Sequence, residues 1–496
     1  MTDQTAPDAV PHTLGPRAAA ALVFGSSAAV LVVELVMLRL LAPYLGLTLE
    51  TNTLVIGMAL TAIAIGSWAG GRWADLVPPR RTLGPLLAVS GVAVASTPFV
   101  VRGTGSGDDD GLLLAVAALA IFVPGAALSA VTPMVTKLRL TSLDETGTVV
   151  GRLSGIGTTG AIAGTVLTGL VLITHVPVSG IMVGLGVLLV LASVAVELQV
   201  RGVRAGTGPA VLVLAAGLSA AAAPGGCDAE TVYNCASVQT DPDRASGRTL
   251  LLDGVRHSYV DLDDPTHLEF AYVRAMAAAV DATFPDGEPL RAYHLGGGGL
   301  TLPRYLDVTR PGTRSLVSEI DPGVVRIDRE RLGLETGDGI DVRVEDGRLG
   351  LARLESASRD LVVGDAFGGM TVPWHLTTRE AIAEVRRVLT TDGLYAMNLI
   401  DRGPLAFARA AVATLQDSFD HVALAAEPAT LAMEDGGNLV AVASDQPLGL
   451  EAMAEAMEAR DTGWAVITGA ELDRWLGDAE VLTDDHAPVD QLLTPY

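Results

Sequence analysis

Tyr293-His-Leu-Gly-Gly-Gly-Gly-Leu300 is the stretch that decides the fold of the second half of this chain. A short apolar strand runs into four consecutive glycines, Gly296 to Gly299, and a helix-like segment follows at 302–306. Because glycine has no Cβ, such a turn lets a ligand approach the backbone and lets the backbone adopt positive φ. Nucleotides and nucleosides bind at the C-terminal end of a strand in an α/β sheet. A glycine run is equally typical of a plain turn, so the interpretation depends on the strands that follow.

Three later segments have the same form, an apolar strand that ends in acidic residues. Residues 315–321 come about 20 positions after the glycines, where a ribose-binding carboxylate is expected. Residues 342–347 and 360–365 contain terminal acids as well. Strands that alternate with helices predict a mostly parallel sheet, and two closing strands without a long helix between them predict an antiparallel edge. The prediction is a Rossmann-like, seven-stranded α/β domain, completed by strands at 393–400, 421–425 and 438–443.

The composition of the chain separates it into two halves. Of its 496 residues, 49% are hydrophobic and 18% are charged, which favours a membrane protein. The net charge of −24 comes mostly from the second half, and it argues against nucleic acid as a partner because nucleic acid needs basic patches. We predict four regions: a disordered tail at 1–16, a transmembrane helical domain at 17–224, a linker with a β-hairpin and helix subdomain at 225–290, and the Rossmann-like domain at 291–496.

Apolar segments in the first half are candidates for membrane spans, since a span needs about 20 apolar residues. Basic residues alternate between the loops, which predicts a multi-pass protein of the cell membrane with a cytoplasmic N-terminus and the lipid bilayer as its partner. Seven spans would place the C-terminal domain outside the cytoplasm, where Cys227 and Cys235 would suit a disulfide. Two unpaired thiols are the alternative. The candidate spans lie at 18–42, 52–71, 83–101, 111–135, 150–174, 178–197 and 207–224, the last being the weakest because its apolar core is short.

Two features stand out inside these spans. An ionised carboxylate in a membrane is costly unless it is paired, and Glu34 lies within the first span. Arg39, five positions further on, is its candidate partner. A role for Glu34 in binding a substrate or an ion is the alternative. Small residues that let helices approach closely also recur at helix-packing spacing, as the pairs Gly66 and Gly70, Gly151 and Gly155, and Gly160 and Gly164.

The segment before the glycine turn predicts a small β subdomain. Asp253-Gly254 is a hairpin signal between two of its strands. An amphipathic helix is predicted at 265–282, and the tail at 447–496 is predicted to form helices with a polar end. The strands of the subdomain are predicted at 237–240, 248–254 and 257–262.

These residues together resemble the spermidine synthase (polyamine aminopropyltransferase) family from about 237 to 445. With its membrane half, the whole chain is similar to bacterial proteins that fuse a multi-span domain to a spermidine synthase-like domain. In the membrane half the resemblance lies in Glu34–Pro43 and Gly66–Arg72. In the second half it lies in Leu252-Asp-Gly254, Asp263-Asp264, Glu269, Gly296–Gly298, Glu319-Ile-Asp321, Asp346-Gly347 and Asp365.

The resemblance implies a site for decarboxylated S-adenosylmethionine or S-adenosylmethionine. Glu319 matches the acid that holds the ribose hydroxyls, which a carboxylate does well because it accepts two hydrogen bonds at once. Asp346 matches the acid at the adenine amino group. The cofactor-binding residues so implied are Gly296, Gly297, Gly298, Glu319, Asp346, Gly347 and Asp365, and the residues implied for the amine substrate are Asp263, Glu269 and His257.

Departures from the family pattern concern the amine. The family has an aspartate after the third glycine, where this chain has Gly299, and a second aspartate three residues after Asp365, where it has Gly368. That second aspartate helps to deprotonate the attacking amine, and loss of a positioned base typically costs about 10²–10⁴-fold in rate. Asp365 and His375 are the candidates for a replacement catalytic role, with Glu269 and Asp263 as further acids that are able to substitute.

Three hypotheses follow. The first is a membrane-anchored aminopropyltransferase that makes spermidine or a related polyamine. The second is another S-adenosylmethionine-dependent transferase, such as a methyltransferase. The third is a non-catalytic domain that binds a nucleoside or polyamine and is coupled to a membrane transporter. The resemblance implies a homodimer, and no metal is expected because the two cysteines lack histidines at ligand spacing.

Overall fold

The computed structural model describes residues 14–45, 49–105, 110–140, 145–201, 228–335, 337, 339–368 and 372–493. The chain divides into two compact units, Met1–Gly226 and Cys227–Tyr496. The predicted tail at 1–16 falls largely outside the described residues. So do the seventh candidate span at 207–224 and Cys227.

All the regular secondary structure in the described part of the first unit is helical. Six segments are long and apolar enough to cross a bilayer, Pro16–Leu41, Asn52–Leu76, Pro79–Thr104, Gly111–Arg139, Thr146–Leu172 and Val178–Val200. Six of the seven predicted spans are therefore present as long apolar helices. The helices are α1 (Pro16–Leu45), α2 (Leu49–Leu76), α3 (Pro79–Gly105), α4 (Asp110–Ser129), α5 (Val131–Arg139), α6 (Thr146–Leu167, continued by a π-helical turn Thr168–Leu172 and by Ile173–His175) and α7 (Val178–Arg201).

Glycines decide where these helices pack. A Cβ at Gly160 on α6 would lie 2.2 Å from the carbonyl oxygen of Phe24 on α1, and one at Gly66 on α2 would lie 2.2 Å from that of Ala126 on α4. Only a residue without a side chain permits such backbone approach. The pairs Gly66 and Gly70, and Gly160 and Gly164, therefore lie at helix contacts as predicted. Gly151 and Gly155 make no such contact with the described residues, because a Cβ at either position would meet no atom of those residues within 4 Å.

Ionisable residues inside the first unit are few. Glu34 and Arg39 are both half-buried on α1, and their pairing stays a prediction. Glu197 near the end of α7 is more deeply buried, with 3% of its surface exposed, and its carboxyl group packs where Gly84 of α3 has no side chain.

The second unit begins with a four-stranded antiparallel sheet, in the order β1 (Ala229–Glu230), β2 (Cys235–Thr240), β3 (Gly247–Leu252) and β4 (Val255–Asp261). Asp253 and Gly254 connect β3 to β4 with φ values of 54° and 81°. Two successive positive φ angles are typical of the tight turn whose twist matches paired strands. The hairpin prediction at Asp253-Gly254 is therefore confirmed. Cys235, the first residue of β2, is not a free thiol.

An eight-stranded mixed sheet forms the rest of the unit, in the order β12-β10-β11-β9-β8-β5-β6-β7. Strands β5 to β8 pair in parallel with one another, β9 pairs in parallel with β8, and β9 to β12 pair antiparallel. The strands are β5 (Arg291–Leu295), β6 (Arg314–Glu319), β7 (Ile340–Val344), β8 (Arg359–Gly364), β9 (Leu389–Asp401), β10 (His421–Ala426), β11 (Gly437–Ser444) and β12 (Ala465–Thr468).

The sheet has one strand more than the seven predicted. The addition, β12, comes from the tail that was predicted to be helical. Its four residues are too few to establish a period of two, and they become a strand because the open edge of β10 supplies backbone partners from Ala423 to Ala426.

Helices cover both faces of this sheet. Alternate residues along each strand point to opposite faces, so Leu361 and Val363 contribute to one apolar core and Val362 to the other. The helices are α8 (Ala271–Thr283), α9 (Thr301–Thr309), α10 (Pro322–Arg331), α11 (Gly347–Ala352), α12 (Arg379–Val388), α13 (Ala406–Ser418), α14 (Pro428–Leu431), α15 (Leu450–Ala459), α16 (Gly469–Leu476) and α17 (Val489–Leu492).

Candidate functional site

The carboxyl ends of β5, β6, β7 and β8 lie along one edge of the sheet because these strands are parallel. β5 pairs with β6 on one side and with β8 on the other. The chain therefore leaves β5 towards β6 and β7, and later returns on the opposite side of β5 as β8. This reversal of strand order opens a crevice outside the strand ends, which is where open α/β sheets bind ligands.

The glycine turn lies at this crevice. Gly296 and Gly298 adopt φ values of 93° and 47°, which are strained for any residue with a Cβ. A Cβ at Gly296 would lie 2.4 Å from the carbonyl oxygen of Asp365, the residue that follows β8. The turn and the end of β8 are thus in backbone contact. The absence of a side chain at Gly296 is a packing requirement as well as a conformational one.

Glu319, the last residue of β6, reaches back to the glycine turn. Its Oε2 accepts hydrogen bonds from the N–H groups of Gly297 at 2.8 Å and Gly298 at 3.4 Å, and its Oε1 accepts one from Asp321 N–H at 2.8 Å. Burial raises the pKa of Glu319, and these backbone donors oppose that shift. A carboxylate has about four lone-pair sites, and these three donors leave one of them, on Oε1, for a ligand hydroxyl.

Asp346 follows β7 and begins α11. Its Oδ1 accepts a hydrogen bond from Leu349 N–H at 2.9 Å, and its Oδ2 lies 3.2 Å from Nε2 of His375. Gly347 is close to the sheet, because its carbonyl oxygen accepts a hydrogen bond from the Tyr293 hydroxyl at 2.9 Å. The turn that contains His375 is itself held by Arg348, which donates to the His375 carbonyl oxygen at 3.0 Å.

Asp365 is held by two polar side chains that the sequence did not single out. Its Oδ1 accepts from Asn398 Nδ2 at 2.9 Å, and its Oδ2 accepts from the Tyr272 hydroxyl at 3.3 Å. Asn398 is positioned in turn by Asn438, whose Nδ2 donates to Asn398 Oδ1 at 3.0 Å. Burial raises the pKa of Asp365 to about 6, although both hydrogen bonds favour the charged form. A carboxylate with this pKa is suited to accept a proton near neutral pH.

Two adjoining cavities open beside Asp365. The smaller, about 40 Å³, is lined by the glycine turn, and the larger, about 510 Å³, extends towards β9 and β11. Asp365, Tyr272 and His257 line both cavities and so mark the place where they meet. Burial lowers the pKa of His257 to about 4, so its imidazole is neutral at pH 7.

Of the three residues predicted to bind the amine substrate, two line the larger cavity and the third does not. His257 and Glu269 line the larger cavity, where Glu269 lies 3.8 Å from Arg256 and 3.4 Å from His267. Asp263 is exposed and belongs to the lining of neither cavity. The geometry therefore brings together Asp365, His257 and Glu269 and leaves Asp263 outside.

The two positions that depart from the family pattern differ in the space around them. A Cβ at Gly299 would lie 2.5 Å from Oγ of Ser258, which itself accepts a hydrogen bond from Gly299 N–H at 2.8 Å. Ser258 therefore occupies the space that a side chain at Gly299 would need. A Cβ at Gly368 would meet no atom of the described residues within 4 Å.

Sequence reasoning missed Tyr272, Asn398 and Asn438. For Asn398 and Asn438 a signal existed, because each is a polar residue within an apolar strand, and buried polar groups in strands require partners. Tyr272 carried no comparable signal, since aromatic residues on amphipathic helices are common in cores. Among the described residues, no group of three or more His, Cys, Asp or Glu side chains is arranged to hold a metal ion.

Comparison with known proteins gives concordant matches for the second unit. The chain is 29% identical over 142 residues to a polyamine aminopropyltransferase of Chromobacterium violaceum, which covers 28% of this chain and 53% of that protein. It is 28% identical over 156 residues to a polyamine aminopropyltransferase of Vibrio vulnificus, covering 31% of this chain and 51% of that protein. The chain thus spans about half the length of the curated relatives it matches. No family model matches the chain.

A solved structure extends this likeness to the fold. A probable spermidine synthase from Corynebacterium glutamicum is 28% identical and superposes with a TM-score of 0.50, over 54% of this chain and 98% of that one. The four-stranded subdomain and the mixed sheet therefore form a unit of the same overall architecture as that protein.

The contact between Gly296 and Asp365 makes a prediction about stability. Gly296→Ala adds strain from its positive φ and a collision with backbone, whereas Gly254→Ala adds strain alone, because a Cβ at Gly254 would meet no atom within 4 Å. We expect about 1–2 kcal/mol of destabilisation from strain in both variants. The collision should add about 1–3 kcal/mol in Gly296→Ala.

Thermal unfolding of the full-length protein in detergent measures this difference. The unfolding temperature of the Gly296→Ala protein should fall clearly below that of Gly254→Ala. Equal unfolding temperatures would show that the turn moves away from Asp365 at no cost.

Proposed function

Because the C-terminal region of this chain is spermidine synthase-like (polyamine aminopropyltransferase-like), we propose that the protein is a membrane-anchored aminopropyltransferase. In this proposal it moves the aminopropyl group of decarboxylated S-adenosylmethionine to an amine of a polyamine. One observation carries the proposal: Glu319 is hydrogen-bonded to the glycine turn, and Asp365 stands at the next strand end where the two cavities meet.

The glycine turn, Glu319 and Asp346 would hold the adenosine moiety. The Glu319 carboxylate would accept from one ribose hydroxyl through Oε1, and from the other through Oε2 in place of the 3.4 Å hydrogen bond from Gly298. The turn offers backbone without side chains, so the donor can lie close to it. Asp346, with His375 beside it, would meet the adenine. The larger cavity would hold the acceptor, with Glu269 and His257 in its wall.

The reaction requires one neutral amine in line with the carbon beside the sulfonium. The lone pair of the amine forms the new C–N bond, and the electrons of the C–S bond remain on sulfur. Methylthioadenosine leaves as a neutral thioether. The new ammonium then loses its proton to Asp365, which we assign as the base in the absence of an acid at Gly368. Asn398 and Tyr272 are positioning residues, because they hold the Asp365 carboxylate.

A transferase that uses S-adenosylmethionine itself is the second candidate. Ser258 fills the space next to Gly299, at the position where the resemblance implies an aspartate that faces the aminopropyl end. Without that acid, the site lacks one group that would favour binding of the decarboxylated donor over S-adenosylmethionine.

The nucleoside part of the proposal is tested with Glu319→Gln. The amide offers one acceptor oxygen in place of two, so methylthioadenosine should bind at least about tenfold more weakly, as expected for loss of a hydrogen bond to a charged group. The measurement is calorimetry of the full-length protein in detergent. Glu330→Gln, on the exposed surface of α10, is the matched control and should bind as the wild type does.

Turnover is tested in the same preparation by release of methylthioadenosine from decarboxylated S-adenosylmethionine when putrescine is present. Release that depends on putrescine supports the proposal. Binding without release would make the domain a nucleoside-binding module, and failure of methylthioadenosine to bind would remove the enzymatic assignments altogether.

The assignment of Asp365 as base predicts a pH dependence. The carboxylate accepts a proton only when ionised, so kcat/KM should decline as the pH falls through about 6, the value to which burial raises the pKa of Asp365. Asn398→Ala removes a donor that stabilises the charged form, which raises this pKa further and moves the acidic limb to higher pH. Tyr272→Phe should move it in the same direction. An acidic limb that is unchanged in both variants would contradict the assignment.

We also propose that the second unit lies outside the cytoplasm. Two observations support this location: the alternation of basic loops, and Cys235, which is not a free thiol. In intact cells treated with a membrane-impermeant reductant, an impermeant maleimide should then label the protein. The chain has only two cysteines, so labelling reports on this region alone. Labelling that requires permeabilised cells would place the unit in the cytoplasm, with 207–224 not crossing the membrane.

A further inference from the structure

The segment 482–486, in the polar end of the tail, forms a tight turn that is fixed to two helices. Two backbone hydrogen bonds of 3.0 Å close the turn, with Asp484 and Asp485 at its tip. Leu482 is buried, and its N–H donates to Oγ1 of Thr414 on α13 at 2.9 Å. Its carbonyl oxygen accepts from the N–H of the first residue of α12 at 2.8 Å. The tip of the turn therefore has a defined place on the domain.

Asp484 joins the two segments that carry Asp346 and His375. Its carboxylate accepts a bidentate pair of hydrogen bonds from Arg348, Nη1 to Oδ1 at 2.7 Å and Nη2 to Oδ2 at 2.6 Å. Its Oδ1 also accepts from the hydroxyl of Thr378 at 2.8 Å. Arg348 comes two residues after Asp346, and Thr378 comes three residues after His375. One carboxylate at the tip of the turn therefore fixes both segments.

Arg348 extends this connection to the backbone of the turn that contains His375. The Nη1 that donates to Asp484 also donates to the carbonyl oxygen of His375 at 3.0 Å. The hydrogen bond from Arg348 holds the pKa of Asp484 below its usual range, so the pair stays ionised at neutral pH. The side chains of Arg348 and Asp484 are 23% and 40% exposed, and such a pair contributes little to stability. A bidentate pair does fix direction, because the planar guanidinium fork matches the carboxylate in one arrangement.

The contact that this network fixes is the one between Asp346 and His375. Oδ2 of Asp346 lies 3.2 Å from Nε2 of His375, and its Oδ1 accepts from the N–H of Leu349 at 2.9 Å. With Nε2 as the donor, both carboxylate oxygens are engaged, and each keeps a lone pair for a ligand. An ionised carboxylate accepts hydrogen bonds and donates none. It therefore suits the exocyclic amino group of adenine and repels the carbonyl oxygen that hypoxanthine has at the same place.

We propose that Asp484 is a positioning residue that makes the nucleoside site selective for adenine. Through Arg348 and the turn that contains His375, it keeps the Asp346 carboxylate directed towards the amino group of the base. This inference rests on the proposed function, because it specifies the base of the nucleoside that binds at the same site. Asp484 does not touch the ligand, so its effect passes entirely through Asp346.

The test compares methylthioadenosine with methylthioinosine, which differ at the position that Asp346 would meet. Calorimetry of the full-length protein in detergent gives the ratio of the two dissociation constants. The wild type should prefer the adenine nucleoside by at least about tenfold, as expected for a hydrogen bond to a charged group. Asp484→Asn keeps the shape of the side chain but loses its charge and one acceptor oxygen, and it should reduce this preference at least about threefold.

Asp485→Asn is the matched control, because it makes the same substitution at the neighbouring acid of the turn and should keep the wild-type preference. An equal loss in Asp485→Asn would overturn the assignment to the contact with Arg348. Arg348→Lys keeps the positive charge without the planar fork, so it should reduce the preference as Asp484→Asn does. A variant that merely loosened the domain would weaken both nucleosides equally and leave the preference unchanged. Unfolding temperatures verify that each variant is folded.

A double-mutant comparison tests whether Asp484 acts through Asp346. Asp346→Asn replaces the carboxylate by an amide, which donates as well as accepts, so it should abolish the preference for adenine. Adding Asp484→Asn to that variant should then change nothing further, because substitutions within one hydrogen-bond network are not additive. A further change in the ratio of the two dissociation constants would overturn the route through Asp346.

The outcomes separate this inference from the function on which it rests. If methylthioadenosine binds and its binding depends on Glu319, yet Asp484→Asn keeps the wild-type preference, the positioning role is overturned and the nucleoside function survives. The same conclusion follows if the wild type does not discriminate between the two bases. If neither nucleoside binds, the nucleoside function fails and the inference fails with it.

Discussion

The close contact between Gly296 and the carbonyl of Asp365 is the constraint on which the rest of the site depends. It joins the end of β5 to the end of β8 on one side, while Glu319 joins the same turn to the end of β6 on the other. Three strand ends are thus connected through backbone atoms of one turn. A turn with side chains could not make both connections, because the first already lies inside the distance that a Cβ requires.

Burial raises the pKa values of the carboxyl groups at two of these strand ends. Asp365 and Glu319 are both carboxylates with raised pKa values, and in both cases burial is the larger influence and hydrogen bonds oppose it. The groups around the two carboxylates differ, and so do the ligands or protons that each carboxylate can accept. Glu319 is surrounded by backbone N–H groups and suits a ligand's hydroxyls, whereas Asp365 faces two cavities and is held by the side chains of Asn398 and Tyr272. In the proposed function, one kind of residue therefore serves binding at the end of β6 and proton transfer after β8.

In the membrane half, the packing of small residues determines which helical faces are in contact. Its helices are long and apolar, so close packing of small residues is what mainly distinguishes one helical face from another. Gly160 meets the backbone of Phe24, whereas Gly155 on the same helix meets no other part of the chain that the structure describes. The pattern of small residues identifies candidate contact faces, and only the neighbouring helix decides which of them is used.

The sequence by itself determined the apolar helices, the hairpin at Asp253-Gly254, the strand that ends at Glu319 and the strand that precedes Asp365, because these depend on local composition and periodicity. The tertiary structure alone decided the eighth strand, which exists through pairing with β10. It also decided that Asn398 would hold Asp365. Such relations join positions far apart in the chain, and burial arises only when the sheet and its helices close around them.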